Sequence, residues 1–143
     1  MSQPKDNTFV FEWPVRVYIE DTDMGGVVFY ANYLKFFERA RTEWLRSTGI
    51  TQQTLMEEFS LIFVVSRFAV DYLASARLDD ELRLTVEPVH IGRASVDLKQ
   101  RAFRGEKLLA SAELRIVSVS LPAMRPVAIP PYILEKMKSN PVT

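Results

Sequence analysis

The chain has 143 residues, 48% apolar and 25% charged, with a formal net charge of zero. This length suits one domain, 1–143, around one sizeable core, and the balanced charge gives no argument for nucleic acid or an anionic membrane surface as the principal partner. Cysteine is absent, which excludes disulfides, thiolate metal sites and a cysteine nucleophile, and no apolar run is long enough to span a bilayer.

Residues 1–8 are polar and read as a loose terminus without the basic and apolar regions of a secretory leader, so the expected compartment is the cytoplasm. From Phe9 the pattern has period two. Phe9, Phe11, Trp13, Val15, Val17 and Ile19 point one way, and Glu12, Arg16, Tyr18 and Glu20 the other, which predicts a half-buried strand. Pro14 confines it to an edge or a bulge. The strand runs into Glu20, Asp21 and Asp23, then Gly25 and Gly26, then a long amphipathic helix. Tyr33, Phe37, Ala40 and Trp44 make its apolar face, with Asn32 as N-cap and Gly49 as the stop. Lys35 with Glu38, Glu38 with Arg41, and Arg39 with Glu43 have the spacing of helical ion pairs. The first-turn N–H groups of such a helix lack intrahelical acceptors and favour negative charge. A carboxylate, a glycine turn and a helix start thus fall within about a dozen residues, a spacing that suits a base beside a polarised carbonyl.

Residues 51–60 predict a short second helical or irregular segment, capped by Thr51. Leu61 to Leu73 predicts a long strand with Val64, Phe68, Val70 and Tyr72 on one face. Leu82, Leu84 and Val86 mark the next strand, and Gly92 sits in the hairpin that follows. Ala94, Val96, Leu98 and Ala102 mark another, and Leu108, Ala110, Ala112, Leu114 and Ile116 the last. Prolines 122, 126, 130 and 131 interrupt the tail, where Tyr132 to Lys138 predicts a surface helix with Pro131 at its start. Residues 139–143 read as loose. One long helix with five strands joined by short turns is an α+β arrangement with an antiparallel sheet. Its open edges invite a second copy.

The run DTDMGGVVFYANYLKFFERAR resembles the signature of the hotdog-fold 4-hydroxybenzoyl-CoA thioesterase family. Within it, the run resembles the YbgC-like acyl-CoA thioesterases associated with the bacterial Tol-Pal system. The segments FVVSRFAVDYLASARLDDELRL and LPAMRPVAIP are similar to the same group, so the resemblance spans about Phe11 to Pro130. It implies a hotdog fold, a five-stranded antiparallel sheet wrapped around one long helix. It also implies hydrolysis of an acyl-CoA thioester to free acid and coenzyme A, with Asp23 as catalytic carboxylate. The same resemblance puts the backbone N–H near Tyr30 on the thioester carbonyl, with Gly26 and Val27 as positioning residues. Some YbgC-like members carry His where this chain has Tyr30, and the benzoyl-CoA branch carries Tyr, a departure that bears on acyl preference. Asp23 is expected to act either as general base on water or as nucleophile. No metal or cofactor is expected beyond the coenzyme A of the substrate. A homodimer or tetramer is expected, with acyl carrier protein as a further candidate partner.

Other assignments compete. Asp23 alone also suits a plain turn, and Asp21 suits a turn better than catalysis. Glu20, Asp21 and Asp23 have the oxygen chemistry of a Mg²⁺ site, but the repeated strand–helix units of aspartate-dependent phosphatases are missing. His90, the lone histidine, reads as a strand-end residue, and no serine-triad motif occurs. Arg67, Arg93, Arg101 and Arg104 are ordinary strand and turn charges or contacts to coenzyme A phosphates, with Arg67 and Arg93 the candidates for binding. Phe29, Phe36, Phe37, Phe63 and Phe68 read as core. A non-catalytic module that binds acyl-CoA or an acyl carrier is the alternative function.

Overall fold

The computed structural model describes residues 10–138. The two terminal segments expected to be loose, and Phe9, lie outside them. Strand β1 (Phe11–Arg16) is followed by a 3-10 turn over Ile19–Asp21, helix α1 (Asn32–Ser47) and helix α2 (Gln52–Phe59). Four long strands come next: β2 (Leu61–Tyr72), β3 (Glu81–Ile91), β4 (Ser95–Arg104) and β5 (Lys107–Ser120). A two-residue strand β6 (Arg125–Pro126) and helix α3 (Pro131–Lys138) close the described chain.

The sheet is antiparallel with order β1-β3-β4-β5-β2, and β6 pairs with β5 beside it. Five strands form the sheet as expected from the alternation, and β6 is a sixth that the proline-rich tail concealed. Among the described residues β1 and β2 are its free edges, and Pro14 sits on the first, opposite Arg83.

Helix α1 lies across the inner face. Tyr33, Phe36, Phe37, Ala40, Trp44 and Leu45 are buried against Leu84, Val86, Leu98, Ala112 and Leu114. Burial of this face, more than helix propensity, holds the helix in place. Gln100 is the polar exception in that core. Its Nε2 donates to the carbonyls of Phe37 at 3.0 Å and Thr85 at 3.3 Å, and its Oε1 accepts from Arg41 Nη1 at 2.9 Å. Arg41 therefore turns inward, and the helical ion pair expected with Glu38 does not form. The recorded ion pair on α1 is Arg46–Glu43 at 3.1 Å.

Three local expectations are corrected. The first strand ends at Arg16 rather than reaching Glu20, because Asp21 Oδ2 accepts from Tyr18 N–H at 2.8 Å and folds the chain back. The residue before α1 is Ala31, not Asn32. The Asn32 amide instead donates to the Asp21 carbonyl at 2.8 Å. In β2 a bulge at Ser66 separates two registers, with Val65 opposite Ile116 and Arg67 opposite Arg115. The extra residue reverses facing. Phe63 and Val65 face α1 before it and Phe68, Val70 and Tyr72 after it, so Val64 lies on the outer face.

Other boundaries follow the sequence. Thr51 Oγ1 accepts from Thr54 N–H at 3.0 Å and caps α2. Gly49 follows α1 with φ +94°, where a left-handed residue ends a helix. Helix α3 buries Ile133 and Met137.

Candidate active site

Asp23 opens a tight hairpin. Thr22 pairs with Val28, Asp23 N–H donates to the Val27 carbonyl at 2.9 Å, and Gly26 N–H donates to the Asp23 carbonyl at 3.1 Å. Gly26 has φ +81°, the left-handed conformation that the turn requires and that glycine adopts without strain. The Asp23 carboxylate is exposed. Its Oδ1 accepts from Gly25 N–H at 2.8 Å, while Oδ2 makes no bond within the described chain.

Asp21 performs a different task. It is buried, and its carbonyl accepts from Phe29 N–H at 3.2 Å and from the Asn32 amide at 2.8 Å. These bonds tie the acidic stretch to the entry of α1 and set the Asp23 hairpin beside the helix start. There the backbone N–H groups of Tyr30 and Ala31 have no acceptor among the described residues. A charged carboxylate and two unsatisfied donors at a helix start have the character of a site for a polarised carbonyl.

The far side of the hairpin is fixed by the segment after β2. Val28 N–H donates to the Ala76 carbonyl at 2.9 Å, and Val27 pairs with Arg77. Tyr33 from α1 clamps that segment. Its phenol oxygen accepts from Ala76 N–H at 3.0 Å and lies 3.5 Å from the Ala74 carbonyl. Burial raises the Tyr33 phenol above its ordinary range. Asp80 accepts from Arg77 N–H at 2.9 Å and from Arg104 Nη1 at 2.9 Å. Burial pulls its carboxyl upward, but these donors outweigh that and hold it below the usual carboxylate range.

Aromatic rings border the helix start. Tyr30 meets Tyr72 edge-on at 5.8 Å, Tyr33 meets Tyr72 at 5.5 Å, and Phe29 lies 4.8 Å from Tyr30. Burial, followed by the neighbouring phenols of Tyr30 and Tyr33, raises Tyr72. Phe29 is 46% exposed, so it belongs to this rim and not to the core, unlike Phe36 and Phe37.

The predicted site residues divide accordingly. Asp23, Gly26, Val27 and Tyr30 come together. Gly26 shapes the turn and spends its N–H on Asp23, so the free donors are those of Tyr30 and Ala31. Arg67 and Arg93 do not join them. Arg67 stands on the outer face of the sheet, opposite Arg115 and close enough to influence Asp97. Arg93 lies in the β3–β4 turn, where its carbonyl accepts from Ile129 N–H at 2.8 Å. The length of β3 separates that turn from the hairpin, on the order of 30 Å. Ala31, Tyr33, Tyr72 and Arg77 were not singled out by the sequence. Tyr33 and Tyr72 carried only an apolar-face signal, and the others carried none. Among the described residues no group of three His, Asp or Glu side chains is arranged to hold a metal ion.

Comparison with known proteins agrees with this architecture. Residues 25–111 match the thioesterase superfamily. The chain is 50% identical over 125 residues to an acyl-CoA thioesterase YbgC of Haemophilus influenzae, covering 87% of this chain and 90% of that one. It is 47% identical over 133 residues to the acyl-CoA thioester hydrolase YbgC of Escherichia coli O6:H1, covering 92% and 98%. The crystal structure of a probable thioesterase from Bartonella henselae superposes with a TM-score of 0.81 at 32% identity, over 85% of this chain and 99% of that one. With its antiparallel sheet curled around α1, the chain belongs to the hotdog-fold thioesterase superfamily.

Proposed function

We propose that the protein hydrolyses acyl-CoA thioesters to a free acid and coenzyme A, with Asp23 as the reacting carboxylate. The observation that carries this is the Asp23 hairpin, tied through Asp21 to a helix start that holds two unaccepted N–H groups. The YbgC relatives support the reaction class. In the general-base course, Asp23 takes a proton from water as its oxygen attacks the thioester carbon. The carbonyl oxygen gains charge against Tyr30 and Ala31 N–H, and coenzyme A leaves as thiolate. In the nucleophilic course, an Asp23 oxygen attacks first, coenzyme A leaves as thiolate, and water opens the resulting mixed anhydride at the Asp23 carboxyl carbon to release the acid.

The test is turnover on a panel of acyl-CoAs, read with a thiol-reactive dye. Folded Asp23→Asn should lose about a hundredfold or more in kcat and keep substrate binding. Near wild-type turnover in that variant overturns the assignment. It would favour the acyl-binding module, for which the bond from Gly25 N–H to Asp23 Oδ1 is the supporting observation. One turnover in ¹⁸O-water separates the two courses, because only the nucleophilic one leaves label on Asp23.

A homo-oligomer with the site at its interface is part of the same proposal. Strand β2 offers twelve residues of unpaired edge. Ile19, Met24 and Tyr30 stand 75%, 105% and 62% exposed around the hairpin, an apolar rim that a neighbouring chain would bury. Any contact of Arg67 or Arg93 with coenzyme A near Asp23 would then come from another copy. Cytoplasmic placement rests on the polar N-terminal sequence, and association with the Tol-Pal system and an acyl-carrier thioester as second substrate rest on the sequence resemblance. Among the described residues no helix is long and apolar enough to cross a membrane.

A further inference from the structure

The segment that fixes the far side of the Asp23 hairpin also brings a cation to it. Val27 is the middle member of a small antiparallel ladder. It lies opposite Asp23 across the hairpin, and on its other side it pairs with Arg77. Two backbone bonds set that second pairing, from Val28 N–H to the Ala76 carbonyl at 2.9 Å and from Leu78 N–H to the Gly26 carbonyl at 3.3 Å. Side chains paired across antiparallel strands share a face, and neighbours along each strand alternate. Val28 and Ala76 are 5% and 0% exposed, so they take the inner face. Asp23, Val27 and Arg77 therefore project together from the outer one, with Asp23 and Arg77 both exposed. Two ladder steps put the Cα atoms of Asp23 and Arg77 about 10 Å apart.

The Arg77 guanidinium is uncommitted. It makes no hydrogen bond and no ion pair among the described residues. Two acids follow it in the chain. Asp79 is exposed and forms no ion pair with it. Asp80 feels its charge, but Asp80 Oδ2 already accepts from Arg104 Nη1 at 2.9 Å and from Arg77 N–H at 2.9 Å. Arg104 balances Asp80 and leaves Arg77 in excess. Residues 17–31, which form the hairpin and the helix entry, contain no lysine or arginine. Lys35, exposed in the first turn of α1, is the other cation near the helix start.

A thioester acted on by Asp23 places its carbonyl carbon beside Oδ2 and its carbonyl oxygen at the Tyr30 and Ala31 N–H groups. The pantetheine arm, with two amide units, carries the coenzyme A phosphates farther from that point than Arg77 stands. A short acyl chain ending in a carboxylate fits the spacing. Its methylenes cross Val27 and its far end meets the guanidinium. A second carboxylate near Asp23 is repelled, and a guanidinium with paired donors offsets that repulsion.

We propose that Arg77 is a specificity-determining residue, its guanidinium holding the terminal carboxylate of a short dicarboxylic acyl group while Asp23 acts on the thioester at the other end. The assignment rests on Asp23 as the reacting carboxylate.

The probes are succinyl-CoA and butyryl-CoA, which match in acyl length and differ in the terminal carboxylate. Rates are read with a thiol-reactive dye, with spontaneous hydrolysis of succinyl-CoA subtracted. The parent should favour succinyl-CoA in kcat/KM by about tenfold or more. Arg77→Gln should reduce that ratio about tenfold or more, Arg77→Lys should fall between the two, and Lys35→Gln should keep the parent ratio. Added salt should shrink the preference. Arg77 enters the ladder through its backbone, so its variants should melt with the parent. The assignment alone is overturned if the parent turns over butyryl-CoA without favouring succinyl-CoA. It is overturned alone, too, if Arg77→Gln lowers both thioesters equally, as a contact with a coenzyme A phosphate would, or if Lys35→Gln removes the preference. A parent that turns over neither thioester overturns the hydrolase reading and this assignment together.

Discussion

Tyr33 braces the proposed site without taking part in the proposed chemistry. Its ring packs under α1, and its oxygen holds the Ala74–Ala76 backbone that carries the Asp23 hairpin. Tyr33→Phe keeps the ring and leaves the buried Ala76 N–H without its acceptor, at a cost of about 1–3 kcal/mol. Chemical denaturation should show this loss, and kcat should fall with it while the KM for acyl-CoA changes less. Asp80 braces the same segment, and its contribution depends on pH. Its carboxyl lies below the usual range when folded, so its stabilisation is fully present above the unfolded value near about 3.9 and fades as pH falls through the lower folded value. Melting temperature followed below about pH 4 should therefore drop less steeply in Asp80→Asn than in the parent.

At the scale of elements, the bulge in β2 decides which side chains reach the core. Deleting Ser66 would make the Val65–Ile116 and Arg67–Arg115 pairs direct neighbours, so one unbroken register would keep Phe63, Val65, Phe68, Val70 and Tyr72 all on the inner face. The deletion variant should therefore keep these apolar contacts, with little loss in chemical denaturation and no increase in dye binding to exposed apolar surface; a marked loss of stability or a marked rise in dye binding would overturn the bulge assignment. The bulge also marks where the sequence stopped being readable. Strict alternation placed β3 and β5 because every second residue there is buried, and the helical period placed α1 for the same reason. In β2 the apolar residues run consecutively from Leu61 to Val65, so periodicity had no phase to report. The site divides similarly. Asp23 and Tyr30 were visible because a contiguous motif carries them. Tyr33, Tyr72, Ala76 and Arg77 act through contacts some forty or more residues apart, which no local pattern encodes. Asn32 looked like a cap because its residue type favours that position. The competing acceptor, the Asp21 carbonyl, exists only after the chain has folded back.

At the scale of the whole molecule, the proposed interface makes activity depend on concentration. Specific activity should fall on dilution in step with the loss of the oligomer by light scattering, and a fully active monomer would overturn that arrangement. The sheet has a further property, set by the difference between its two rims. Along β2 the edge is free of proline; along β1, Pro14 removes one backbone donor opposite Arg83. A chain with one rim open to strand pairing has a valence of one. Two copies joined through β2 present only proline-bearing rims outward, so the pair terminates growth instead of seeding it. Pro14→Val would raise that valence to two. Filamentous aggregation on concentration, seen as turbidity and fibre-type diffraction spacing in the variant but not in the parent, is the outcome that a guarded rim implies.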